Sequence, residues 1–427
     1  MTKVRFILLS VFLFALAACE RDGLDTTLYI GPFGGMKGET RKVMLMYDAG
    51  FNSLSGDIAK NITQLKQGYV PGKGRNDDVL LVFSHLARTR RNYSEETAPS
   101  MVRLYSEHGE VFSDTLKVWP VGTPVANKEM MTEVFNWVRE EFPAAGYGAI
   151  LASHATGWLP EDYFTNPKKY EGRDRGGSIS WSPRLKTFGQ EYFDKGSKTQ
   201  EMELRDLAAA IPYKLDYILF DACLMATAEV AWELRNVTSY LAVSPCEIPA
   251  AGFDYTTMTE HLLKPEVPDL KSVCQDYFAT YENDSVYGAT ITMVDCSRLD
   301  RLAETCRELF DRYRSGIRNL NGKNVQVYDR FLSGKSYYIF FDLKDMLREA
   351  GASAGDLDAL QAALDEALVY EAHSKRFIDV KLERCCGLAV YLPAYPDYTR
   401  DIYHGTEFLD GFYKQNVAWN QATSLVE

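Results

Sequence analysis

Short, continuous apolar runs alternate along the chain with longer stretches in which hydrophobic residues recur every three or four positions. Residues 43–47, 79–84, 149–153, 217–222, 241–244, 290–294 and 388–392 read as strands. Most are apolar at every position, the pattern of a sheet covered on both faces. Helical patterns lie between them. The clearest covers 128–141, with Met131, Val134 and Trp137 or Val138 on one stripe and Pro143 closing it. Others cover 223–236, 273–281, 299–313 and 354–372. This succession predicts an α/β fold with a mainly parallel central sheet.

The first 18 residues behave differently. Lys3 and Arg5 precede an apolar run over 6–18 that only Ser10 interrupts, and Cys19 follows. That pattern predicts an export signal. The run is shorter than the roughly 20 residues of a membrane span, and no later stretch reaches that length. The tetrad LAAC at 16–19 resembles the lipobox of bacterial lipoprotein signals, which implies cleavage before Cys19 and a lipid on its thiol. The expectation is an exported, membrane-anchored bacterial lipoprotein in the periplasm or at the cell surface. Residues 19–40, with Gly31, Gly34, Gly35 and Gly38, read as a flexible tether, and 41–427 as the folded body, with a core over about 41–260 and an extension over about 261–427.

Composition narrows the picture. With 46% hydrophobic and 13% aromatic residues the chain is neither disordered nor of low complexity. Acids outnumber Lys and Arg by 59 to 47, and the one basic patch is the short stretch 88–91, so a nucleic-acid partner is not expected. There are eight cysteines. With Cys19 lipidated an odd number remains, leaving at least one thiol outside any intrachain disulfide. No Cys/His spacing suits a metal, and the adjacent Cys385 and Cys386 read as packing or disulfide residues.

In open parallel sheets the site lies beyond the carboxyl ends of the strands. The strand at 149–153 leads into His154, and the strand at 217–222 leads into Cys223. If the helix expected over 223–236 begins at the cysteine, its amide dipoles favour the thiolate, and a neighbouring imidazole can take the thiol proton and return it to a leaving amine. A lone cysteine at a strand end is equally what a buried core thiol looks like. His85, after the strand at 79–84, is a second candidate, but it lacks the Gly-Trp turn that follows His154. Residues 159–200, rich in Gly, Pro and cations, have no sustained period and read as a long loop over one end of the sheet.

The string FDACLMATAEV at 220–230 resembles the nucleophile motif of the clostripain family of cysteine peptidases, and SHATGW at 153–158 resembles its histidine motif. VMLMYDAGFNSL at 43–54 is similar to the family's first strand and loop. SPCEIP at 244–249, GFDY at 252–255, FDL at 341–343 and GLAVYLP at 387–393 follow in order. The resemblance implies a caspase-like αβα fold and endopeptidase action on protein or peptide substrates through a thioester on Cys223, with His154 as acid and base. It further implies an oxyanion site from the backbone N–H groups of Ala155 and Cys223. Asp221, two residues before the nucleophile, would select Arg or Lys before the cleaved bond, with Glu247 or Asp254 as a second wall. Relatives can cut themselves in the loop between His and Cys, and some depend on calcium, although no EF-hand loop is present here. Three positions depart from the family pattern: Ala155 replaces a usual glycine, Ser153 a frequent acid, and Phe51 the acid of the first loop. Two further functions stay open: a binding or scaffold module that has lost activity, and an amidase or transpeptidase using the same pair.

Overall fold

The computed structural model describes residues 41–88, 93–160, 188–193, 198–330, 338–393 and 407–427. The expected signal segment, Cys19, the tether and most of 159–200 lie outside the described residues. The strands in chain order are β1 (Lys42–Gly50), β2 (Val79–Leu86), β3 (Ser100–Glu107), β4 (Glu110–Val118), β5 (Gly146–Ala152), β6 (Phe188–Phe193), β7 (Lys198–Met202), β8 (Leu215–Asp221), β9 (Thr238–Val243), β10 (Thr290–Asp295), β11 (Phe340–Asp342), β12 (Leu368–His373), β13 (Arg376–Phe377), β14 (Val380–Lys381) and β15 (Ala389–Tyr391).

Nine of them form the central sheet in the order β12-β10-β9-β8-β5-β1-β2-β3-β4. Its middle, β9 through β2, is parallel. Antiparallel strands extend both edges. The strands of this parallel middle are largely apolar because both faces are covered. On β1, Val43, Leu45, Tyr47 and Ala49 enter one core, while Met44 and Met46 enter the other. The first core receives the helix Lys128–Glu141, which Asn127 caps by accepting the Met130 N–H at 2.8 Å and which buries Met130, Met131, Val134, Phe135 and Val138. The second receives the helices Ser55–Leu65, Tyr255–Leu263 and Leu270–Tyr281. This is the expected three-layer α/β sandwich.

Local differences from the sequence reading have physical causes. The helix expected over 354–372 ends at Ala367, and the β-branched and aromatic run after it becomes the edge strand β12. The run at 388–392 supplies β15, which pairs with β11 outside the main sheet. The β3–β4 hairpin escapes notice because β4 is exposed along its length and carries no burial pattern. The described part of 159–200 is ordered: β6 and β7 pair as an antiparallel hairpin. Among the described residues no helix is long and apolar enough to cross a membrane.

Candidate active site

β5 and β8 pair in parallel with Ala152 opposite Asp221, so His154 and Cys223 lie the same distance beyond neighbouring strand ends. The Ser153 N–H donates to the Asp221 carbonyl at 3.4 Å. The two turns then press together. Gly157 has φ +66°, and a Cβ there would lie 2.8 Å from the Leu224 carbonyl oxygen, so a side chain at this position would wedge the histidine turn away from the cysteine turn. Leu224 has φ +61°, a strained conformation for a branched residue, directly after the candidate nucleophile. The turn is held in that shape by the Leu224 and Ala226 N–H groups, which donate to the Cys246 and Ser244 carbonyls, each at 3.0 Å.

The helix expected from Cys223 begins only at Ala228, with Thr227 as its cap. Cys223 therefore sits in a turn outside the helix, and the dipole argument for a low thiol pKa fails. The thiol moves the opposite way. Burial, then the charge of Glu247, push it up to about 12, against the Ile248 N–H that donates to Sγ at 3.4 Å. Glu247 gives one carboxylate oxygen to Arg330 at 3.2 Å. Asp254 caps the helix Tyr255–Leu263 by accepting the Thr256 N–H at 2.9 Å.

Asp221 shares the sheet face of Tyr217 and Leu219 and meets Tyr255, whose hydroxyl donates to Oδ2 at 2.7 Å, and Asn61, whose amide lies 3.4 Å from the same oxygen. Burial raises its carboxyl to about 6. Gly252, at φ +69°, leaves the carboxylate room: a Cβ there would stand 2.4 Å from Oδ2. On the far side of Ala152, register places Asp48 of β1 level with Asp221. Asp48 is 0% exposed, and neither of its carboxylate oxygens has a hydrogen-bond partner among the described residues. Burial, then the charge of Asp221, raise its pKa well above the ordinary carboxylate range.

Around His154 the loop after β1 closes in. Ser53 Oγ lies 2.8 Å from His154 Nε2. Its neighbour Asn52 is fully buried and donates its amide to the Ala49 carbonyl at 2.9 Å, the Gln190 carbonyl at 2.6 Å and Ser153 Oγ at 3.3 Å. The hairpin strand β6 lies across both loops. The Gly189 N–H donates to the His154 carbonyl and the Tyr192 N–H to the Phe51 carbonyl, both at 3.0 Å, and Phe188 bridges Ala155. Glu191, buried, meets His85 Nδ1 at 2.7 Å and accepts the Val125 and Ala126 N–H groups at 2.5 and 3.2 Å. His85, stacked on Phe51 with ring centroids 4.7 Å apart, is thus committed to anchoring β6.

The three layers around a large, mainly parallel sheet are those of the caspase-like class of cysteine peptidases. The family model described as the clostripain family matches residues 181–424, more than half of the sequence, a span that contains Cys223 and begins after His154. The chain belongs to the clostripain family. It is 24% identical over 249 residues to clostripain of Hathewaya histolytica, a match covering 53% of this chain and 43% of that relative's length. An inactive zymogen C11 protease from Parabacteroides distasonis superposes with a TM-score of 0.71 at 25% identity, over 91% of this chain and 99% of the other. A secreted C11 cysteine protease from Bacteroides thetaiotaomicron, solved with an irreversible peptide inhibitor, shares the fold with a TM-score of 0.69 at 21% identity, over 90% and 99% of the two chains.

Sequence reasoning missed Ser53, the Asn52–Ser153–Gln190 network, the Glu191 anchor and the Asp48, Tyr255 and Asn61 surroundings of Asp221. Each arises from contacts between distant segments, although an acid within the apolar run of β1 was a visible signal for Asp48. Among the described residues no cluster of three or more His, Cys, Asp or Glu side chains is arranged to hold a metal ion. All seven described cysteines are unpaired, Cys385 and Cys386 included.

The state of Asp48 makes a prediction. Its folded pKa exceeds the unfolded value of about 3.9, so the folded protein holds this proton more tightly, and stability falls as pH rises above that value toward the folded pKa. Asp48→Asn keeps the volume and removes the titration. Between pH 4 and pH 8 the wild type should lose more than ~1 kcal/mol of unfolding free energy, read by urea titration, that the variant retains. Parallel pH slopes would show Asp48 to be an ordinary ionised carboxylate.

Proposed function

We propose that the chain is a cysteine endopeptidase in which Cys223 attacks the scissile carbonyl and His154 moves the protons, anchored outside the cytoplasm through a lipid on Cys19. The observation that carries this reading is the in-register pairing of β5 with β8, reinforced by the contact of Gly157 with Leu224. Family membership and the relative of known structure named as a protease support the reaction class.

The reaction follows from the groups present. With the thiol near 12, thiolate is scarce at neutral pH, so His154 takes the proton as the sulfur attacks. The oxyanion is held by the N–H groups of Ala155 and Cys223; an alanine donates its N–H as a glycine does, and the bridge to Phe188 steadies that turn. His154 then protonates the leaving amine, and water, deprotonated by the same ring, opens the thioester.

Asp221 is the proposed acid for Arg or Lys before the cleaved bond: it is partly exposed, oriented by Tyr255, and kept open by Gly252. Glu247 and Asp254 contribute less directly, since one is paired with Arg330 and the other caps a helix.

In a digest of unfolded proteins read by mass spectrometry, wild type should cut after Arg and Lys, and Cys223→Ala should lose at least about 10³-fold in rate. Turnover retained by the variant would remove the assignment. Asp221 binds a cation once ionised, so KM for an Arg peptide should fall as pH rises through about 6. Asp221→Asn should lose this pH dependence together with about ten- to a hundredfold in kcat/KM. Cutting after apolar residues, or a KM in Asp221→Asn that still follows pH, would take Asp221 out of specificity.

A further inference from the structure

A histidine base works only when its ring is held at one angle and in one tautomer, which a hydrogen bond to the second nitrogen decides. The residue before the histidine is Ser153, and its hydroxyl is occupied. It donates to the Ala49 carbonyl at 2.6 Å and accepts from the Asn52 amide at 3.3 Å and the Gln190 N–H at 3.1 Å. A contact to the His154 ring comes from the first loop, at Ser53 Oγ and 2.8 Å.

The contact is built by the fold. Asn52 accepts the Leu54 N–H at 2.8 Å and spreads its amide over three acceptors, while Ser55 Oγ donates to the Asn52 carbonyl at 2.9 Å, so both neighbours of Ser53 are fixed. Ser53 itself is exposed and caps no helix, and among the described residues His154 is its hydroxyl's one partner. The fold gains little from this side chain. Its one use is at the imidazole.

We propose that Ser53 is a positioning residue for His154: its hydroxyl accepts from Nε2–H and fixes ring and tautomer, so that Nδ1 is the nitrogen that exchanges the proton with Cys223. When the thiol proton passes to Nδ1 as sulfur attacks, the imidazolium keeps its bond to Ser53; the Nδ1 proton then leaves with the amine. This rests on the Cys223/His154 reading, and the test separates the two.

Alkylation of Cys223 by iodoacetamide needs no substrate and is followed site by site by mass spectrometry, alongside turnover of an Arg peptide. Ser53→Ala should slow alkylation at pH 7.5 and lower kcat by about two- to tenfold, with KM and the unfolding midpoint unchanged. The acid limb of the kcat/KM profile should move to lower pH, since the imidazolium loses an acceptor. Ser53→Thr, which keeps the hydroxyl, should recover most of the rate. In the His154→Ala background Ser53→Ala should have no further effect, because it acts through the ring. If His154→Ala itself changes nothing, the Cys/His reading falls and the Ser53 role with it. If His154→Ala slows the enzyme while Ser53→Ala retains wild-type rates and pH profile, or acts additively, only the Ser53 proposal is overturned.

Discussion

Parallel hydrogen bonding between β5 and β8 is the constraint on which the site depends. With Ala152 held opposite Asp221, each strand leaves the sheet at the same level, and His154 and Cys223 each follow two positions on. Every supporting feature preserves that alignment. Gly157 lets the turns touch, the left-handed Leu224 turns the chain sharply after the sulfur, and β6 is laid across the loop of His154 and the loop after β1. Both faces of the sheet are buried, so a slip in register would misplace many core side chains at once.

The same burial that fixes the geometry suppresses the chemistry. Burial and the neighbouring acids push the Cys223 thiol up to about 12, which disfavours the thiolate at neutral pH. No dipole compensates, because the next helix starts at Ala228, five residues too late. In the proposed reaction, reactivity is created in the step itself by a base at a fixed angle, so the orientation of His154 would matter more here than in a site with a preformed thiolate. The acids nearby sharpen the point. Glu247 and Asp221 both raise the thiol, while Arg330 opposes them, so under the proposed preference for Arg or Lys the substrate's charge would bear on Cys223 as well as on Asp221.

Much of this architecture was legible in the sequence. Continuous apolar runs marked the parallel strands because two-sided burial leaves no room for alternation, and His154 and Cys223 stood out as reactive types directly after two of them. The helix at 128–141 was readable from its period and its Asn127 cap. What could not be read depends on tertiary contact. Ser53 is an ordinary surface serine until the β1 loop folds over β5, and Glu191 is one acid in a polar stretch until it meets His85 inside the protein. The extent of the helix after Cys223 was misjudged because apolar residues at 224–226 imitate a helical face while they in fact fill the turn beneath the nucleophile.

The most direct measurement is covalent trapping with a peptidyl ketone inhibitor ending in arginine, followed by mass mapping of the adduct. The account requires a single adduct on Cys223, formed far faster than with a small thiol in solution and lost on His154→Ala. An adduct spread over other cysteines, or one on Cys223 that forms no faster than with free thiol and is indifferent to His154, would contradict it.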